Sequence, residues 1–350
     1  MKLKGNLLMM AILAILCTPM RAQQQSERDT NQLVEQNADT LSSVLKKCKE
    51  KKGEGKVILQ AFANFNLQSK GGDTKLGFAL DRTYLGYEYS FNNGIKIKGV
   101  VDFGKPSAID DYNYVAYIKN AQISWTKGNF TINGGMISTT QFNMQEKFWG
   151  YRYIMKSYQD EYKFGSSADL GISASYKFTN YFTADAIIVN GEGYKKFQTN
   201  KGLLYGLGLT FTPIENLKIR LYGGFNDASE SGKSDIANYA AFVGYKNDKF
   251  SLAGEFNMIQ NSGNKKSANK LGCSVYGTAK VHKLVNIYAR YDLLTSNNRW
   301  NTAEDKSMVM AGLEIVPCKY VKIAPNFRMD IPKAQGENKY MGYISCYFGL

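Results

Sequence analysis

One histidine, six prolines and five cysteines are all that 350 residues hold of these types, and each scarcity narrows what the chain can be. A Ser-His or Cys-His catalytic pair would have to be built around His282 alone, and that residue falls in the short connection His282-Lys283 between two strand-like runs. Few prolines suit many paired strands, because proline removes a ladder donor. Past Cys17, the spacing of Cys48, Cys273, Cys318 and Cys346 matches neither a disulfide framework nor a zinc site. A Cys48–Cys318 bridge is conceivable, and isolated small residues are the simpler reading. No phosphate-cradling glycine loop or metal-ligand spacing occurs. The formal charge of +14 comes without a compact basic module of the kind that binds nucleic acid. The expectation is a chain that is no enzyme, with no cofactor, no metal and no nucleic-acid partner.

Long hydrophobic runs are also missing. The longest, Leu7 to Cys17, is eleven residues, too short for a spanning helix of about 20. Behind Lys2 and Lys4 and before Ala22 it reads as a signal peptide over 1–22. Cys17 would fit a lipoprotein, but Leu16 before it is too bulky. Removing Lys2, Lys4 and Arg21 takes the formal charge from +14 to +11, so the exported chain is basic. Residues 23–55 are polar, with a weak helical stripe at Leu41, Val44 and Leu45, and read as a periplasmic lead-in holding at most a short helix.

What is present is tyrosine, phenylalanine and glycine, arranged with a period of two from Lys56 onward. In KVILQAFANFNLQ, Val57, Leu59, Ala61, Ala63, Phe65 and Leu67 share one face, and Gln60, Asn64, Asn66 and Gln68 the other. SADLGISASYKF and NLKIRLYGGF divide the same way. Such runs number about sixteen. Their connections alternate in length: tight links at 92–94, 127–128, 179–180, 214–216, 247–248, 282–283 and 317–319, longer ones at 70–75, 105–113, 139–166, 191–201, 227–236, 261–269, 296–306 and 331–338. A soluble sandwich has no reason to sort its loops by end. A transmembrane barrel does, with short periplasmic turns and long outer loops. The expectation is all-β: a 16-stranded antiparallel transmembrane β-barrel over 56–350 in the outer membrane of a Gram-negative bacterium, its apolar face meeting outer-membrane lipid. That many strands leave a lumen wide enough for water.

The chain resembles the phosphate-selective porin O and P family and its porin-like relatives. The resemblance lies in FALDRTYLGYEYSF with Arg82, in KNAQISWTKGNFTINGGMIS, in YRYIMKSYQDEYKFGSSADLGISASYKF, in IIVNGEGY and in ARYDLL. It implies an inward-folding third loop, a homotrimer, and an outer-membrane porin allowing passive diffusion of small hydrophilic solutes. The phosphate-favouring cation rows of that family do not align here residue by residue, so phosphate preference is not carried over with the fold.

Loop 139–166, STTQFNMQEKFWGYRYIMKSYQDEYKFGS from Ser138, is crowded with aromatic and cationic side chains and is the expected constriction. Its cations Lys147, Arg152, Lys156 and Lys163 face Glu146, Asp160 and Glu161. The expected lumen lining is Arg82, Lys96, Lys98, Lys218, Arg220, Arg290, Asp292, Lys322 and Arg328, with Lys177 beside them. Glu88, Asp102, Asp169, Asp185, Glu255 and Glu314 oppose them, leaving a slight positive excess. Rings of basic side chains favour anions, so anionic solutes are one expected partner. The same cations would equally serve to brace the loop against lumen acids. Arg290 and Asp292, two apart on one face, read first as an ion pair. Phe148, Trp149, Tyr151, Tyr153 and Tyr158 read first as packing, and second as stacking surfaces for solutes. A structural or adhesive barrel with a blocked lumen, binding a partner through its outer loops, is the alternative.

Overall fold

The computed structural model describes residues 53–104, 114–198 and 201–350. The expected signal peptide, all but the end of the lead-in, Cys17, Cys48 and residues 105–113 lie outside them. From Gly53 the chain runs through β1 (Glu54–Lys70), β2 (Asp73–Ser90), β3 (Ile95–Gly104), β4 (Val115–Lys127), β5 (Phe130–Ser138), α1 (Asn143–Trp149), α2 (Tyr158–Glu161), β6 (Ala168–Lys177), β7 (Phe182–Val189) and β8 (Leu204–Ile214). It continues through β9 (Leu217–Asn226), β10 (Ile236–Lys246), β11 (Phe250–Gln260), β12 (Lys270–His282), β13 (Val285–Ser296), β14 (Lys306–Cys318), β15 (Val321–Pro332) and β16 (Lys339–Gly349). Each strand pairs antiparallel with its sequence neighbours, and β1 pairs with β16 from Gln60↔Gly349 to Lys70↔Lys339, closing a sixteen-strand barrel. Closure satisfies every strand edge, as a hydrocarbon surround requires.

The alternation decides which face points where, and it is inverted relative to a soluble barrel. Val57, Leu85, Ile97, Ile172, Leu207, Leu252 and Val275 are exposed on the outside. Asn64, Asn120, Ser173, Ser274, Asn326 and Ser345 are buried within. Outward aromatics gather toward the short-turn end and touch one another: Tyr89–Phe91 at 4.7 Å, Tyr176–Phe178 at 4.8 Å, Phe182–Phe211 at 4.8 Å and Tyr245–Phe250 at 5.5 Å between ring centroids. Such a girdle marks a membrane interface.

Loop lengths follow the expected sorting with one correction. The first outer connection is only Gly71-Gly72 rather than residues 70–75, because β1 and β2 stay paired out to Lys70↔Asp73. Both glycines have positive φ, 60° and 84°, the conformation a two-residue hairpin needs and other residues resist.

Bulges in β2 and β4 bear on the lumen. In β2 the register slips between Leu80↔Ala63 and Arg82↔Phe62, and the Asp81 carboxylate accepts from Asn64 Nδ2 of β1 at 2.6 Å; in β4 it slips at Lys119, between Ile118↔Val101 and Asn120↔Val100. A bulge re-aims a side chain, and both of these aim into the lumen beside loop 139–167.

Candidate functional site

Loop 139–167 leaves β5, folds into the barrel and returns to β6. Thr139 N–H donates to the Ser167 carbonyl at 3.2 Å, pinching its base. Inside, α1 ends at Gly150, whose positive φ of 71° lets its N–H donate to the Glu146 carbonyl at 3.0 Å. The chain then turns back past Tyr151 and Tyr153 to the single turn of α2.

The loop's aromatics pack on the wall. Trp149 meets Tyr276 at 5.2 Å, Tyr151 meets Tyr288 at 4.9 Å, Phe148 meets Phe242 at 5.3 Å and Tyr153 meets Tyr347 at 5.8 Å. Each such ring pair contributes about 0.5–1.5 kcal/mol beyond the area it buries. Tyr153 also donates to Glu314 Oε1 at 3.0 Å, and Tyr158 to the Leu293 carbonyl at 2.8 Å. Trp149 and Tyr158 are completely buried. These contacts fix the loop against β10, β12, β13, β14 and β16.

Basic wall residues complete the attachment. Arg220 donates to the Thr140 carbonyl at 2.7 Å, Arg328 to Ile154 at 2.6 Å, Arg290 to Lys156 at 2.7 Å and Lys270 to Tyr162 at 2.9 Å. Four strands thus hold four carbonyls spaced along the loop. Arg290 and Asp292 form a two-pronged ion pair at 2.8 and 2.7 Å with both side chains fully buried, and Arg290 lies 5.1 Å from the centre of the Trp149 ring. Arg220 pairs with Asp185 at 2.6 Å and Lys322 with Glu314 at 3.2 Å.

Beside the loop lies a series of adjoining cavities, which shifts from the β13–β16 wall at the outer end to the β2–β10 wall at the short-turn end. A cavity of about 340 Å³ at the outer end is lined by Lys163, Glu161, Lys306 and Lys339. Glu161 also lines a second of about 340 Å³, with Arg82, Arg152, Lys156 and Arg328. Arg152 also lines a third of about 340 Å³, with Lys56, Lys98, Lys119, Lys147 and Tyr84. Lys98 and Lys147 are shared in turn with a vestibule of about 1190 Å³ toward the short-turn end, lined also by Lys96, Lys218, Arg220 and Lys246. The sequence-expected residues therefore divide. Lys96, Lys98, Lys147, Arg152, Lys156, Lys163, Lys218, Arg82, Arg220 and Arg328 border this series, whereas Arg290, Asp292 and Lys322 lie within the loop–wall contact.

Arg152 sits where two cavities meet. Its Nη1 lies 2.7 Å from Glu146 and 2.6 Å from Asp160, and its Nε donates to the Tyr84 hydroxyl at 3.2 Å. Burial opposes the Arg152 charge, but Glu146, Tyr84 and Asp160 outweigh it and keep the guanidinium protonated. Asp160 is pushed up by burial and pulled down further by Arg152 and Lys156, so it titrates below its ordinary 3.8. Nearby, Arg82 pairs with Asp102, and Tyr194, from the β7–β8 connection, donates to the same carboxylate at 2.5 Å. Lys119 stands 4.6 Å from the centre of the Tyr84 ring. Lys119, Tyr84, Tyr194 and the bracing Lys270 were not singled out by sequence. For Lys119 and Arg82 a signal existed. The outward apolar positions step from Ile118 to Ala121 and from Leu80 to Leu85, odd intervals where even ones are due, and a phase slip of that kind is a bulge.

Among the described residues no group of three His, Cys, Asp or Glu side chains is placed to hold a metal ion. His282 ends β12 on the exposed short-turn side, its Nδ1 accepting from the Leu284 N–H at 3.3 Å.

No protein-family model matches the sequence, and no curated protein sequence does either. Solved structures do match in fold. The anion-selective porin from Comamonas acidovorans superposes with a TM-score of 0.64 at 11% identity, over 85% of this chain and 100% of that one. OprB of Pseudomonas putida, at high pH, gives 0.66 at 9% identity over 85% and 94%. In-vitro folded OmpT, an outer membrane protein of Vibrio cholerae in its trimer form, gives 0.53 at 15% identity over 85% and 99%. At these identities the likeness is one of fold, and by that fold the chain is a closed sixteen-strand β-barrel of the kind carried in Gram-negative outer membranes.

Proposed function

We propose that this barrel is a porin through which small hydrophilic solutes diffuse passively, with a preference for anions. The observation that carries the reading is the unbroken sharing of lining residues from cavity to cavity: Glu161, then Arg152, then Lys98 and Lys147. We read these cavities as one water path, running from the β13–β16 wall at the outer end to the β2–β10 wall at the short-turn end, narrowed by loop 139–166 and lined with cations throughout. Field lines concentrate in such a low-dielectric passage, so a modest excess of positive charge biases which ions enter.

Glu146 and Asp160 cancel much of Arg152. The bias rests on cations without such partners. Among the described residues Lys98, Lys119, Lys147 and Lys218 form no ion pair, while both side-chain carboxylates lining the third cavity are engaged, Glu88 with Lys96 and Glu146 with Arg152. Assembly as a homotrimer is part of the proposal and is supported by the trimer form of OmpT. Catalysis has no place in it, since His282 lies apart from the passage.

Swelling of proteoliposomes loaded with a large impermeant sugar tests the reading. Rapid swelling in small sugars that slows steeply with solute size is the expected result. Vesicles that do not swell in any solute would point to a blocked lumen and end the proposal.

A further inference from the structure

The arginines along the passage are already matched to carboxylates or loop carbonyls. What stays unmatched is a set of lysines around one cavity, the third, directly beneath the loop on its short-turn side. Lys56 of β1 faces Glu88 of β2, and Glu88 faces Lys98 of β3 in the same row. Those two lysines therefore stand two strand spacings apart, about 10 Å. Lys119 enters from the β4 bulge and Lys147 from α1. Only Glu88 and Glu146 line the cavity as side-chain acids, and each already has a partner, at 3.1 and 2.7 Å.

We propose that this cavity is a binding site for small organic polycarboxylates, which it concentrates on their way through. The inference rests on the reading of the barrel as an open channel. Ammonium groups dispersed over three strands and a helix match charges dispersed along a carbon skeleton better than they match a single tetrahedral ion. The remaining lining agrees: Ile58, Val100 and Phe142 offer apolar contact to a skeleton, while Gln60 and Asn143 offer hydrogen bonds to hydroxyls. A volume of about 340 Å³ has room for a solute of that size. A hydrogen bond to a charged group changes binding by about tenfold or more when one partner is removed.

Chloride current through single channels, titrated with citrate, succinate or acetate at matched ionic strength, tests the site. Citrate is expected to block at the lowest concentration and acetate at the highest. Lys98→Gln and Lys147→Gln should each weaken citrate block by about tenfold, measured against each variant's own chloride conductance. Lys266→Gln, in the exposed β11–β12 connection, should leave the block unchanged. Equal block by acetate, block by inorganic phosphate as strong as by citrate, or unchanged block in both lysine variants would overturn the proposal. Titration calorimetry of citrate into the detergent-solubilised protein separates this inference from the channel reading. Binding that is lost in the Lys98→Gln/Lys147→Gln double variant supports the site even where no channel opens. Absence of binding to the unaltered protein refutes it even where channels do open.

Discussion

Arg290 is the residue that most changes meaning between sequence and structure. On its strand it is one more lumen-facing cation, and ARYDLL does place Asp292 on the same face. What the strand pattern cannot convey is that the pair lies under Trp149 with no exposure at all. Removing one partner of a buried pair leaves an uncompensated charge and costs about 3–5 kcal/mol. Arg290→Ala is therefore expected to lower the urea midpoint for folding into lipid vesicles by far more than Lys218→Ala, a vestibule lysine with no ion pair. Equal midpoints for the two variants would show that Arg290 does not brace the loop. The same logic gives a pH dependence for the tie at Arg152. Asp160 titrates below 3.8 on balance, and a carboxyl depressed on folding adds stability above its unfolded value and loses it as pH falls through the folded one. Conductance should hold steady from neutral pH to about pH 4, and change only below that. A transition near pH 6 would assign the tie to another group. Lys119 was legible only as a break in alternation, and Tyr84 and Tyr194 left no trace, because their importance comes from meeting Arg82, Arg152 and Asp102 across the lumen.

The loop between β5 and β6 was legible as an element. Its length, its aromatics and its lapse from two-residue alternation set it apart, and it does fold inward. Its direction was not legible, because the partners of Trp149, Tyr151 and Tyr153 come from β12, β13, β14 and β16, well over a hundred residues away. Held at four carbonyls, it packs on strands of the β9–β16 wall, and cavities remain beside it along β13–β16, β1 and β2 at the outer end and along β2–β10 at the short-turn end. Replacing residues 141–165 by a short glycine-serine link is expected to raise single-channel conductance several-fold while the barrel still assembles. Unchanged conductance would mean the loop does not set the narrowest point. The first outer connection went the other way: Gly71-Gly72 supports a tight hairpin, and the long reading missed it because polar residues on both sides resemble a loop.

For the whole molecule, the strand number and the inverted faces were legible because a barrel in lipid must alternate along every strand and must close. Short and long links then oriented it. The asymmetry of the lumen was not legible, since periodicity assigns residues to faces without saying which faces meet. The lipid-facing assignment is testable in bulk. Val275→Arg, near the middle of β12, should destabilise the folded barrel by about 2–4 kcal/mol, whereas Ser274→Arg on the inner face should act through the loop contacts and alter conductance. No cost for Val275→Arg would place that face against water. The central claim, an open path lined by unmatched lysines, is tested most directly by reversal potential in a potassium chloride gradient across a planar bilayer. Stepwise openings whose current reverses toward the chloride equilibrium potential are expected. An absence of steps, or reversal toward the potassium potential, would contradict it.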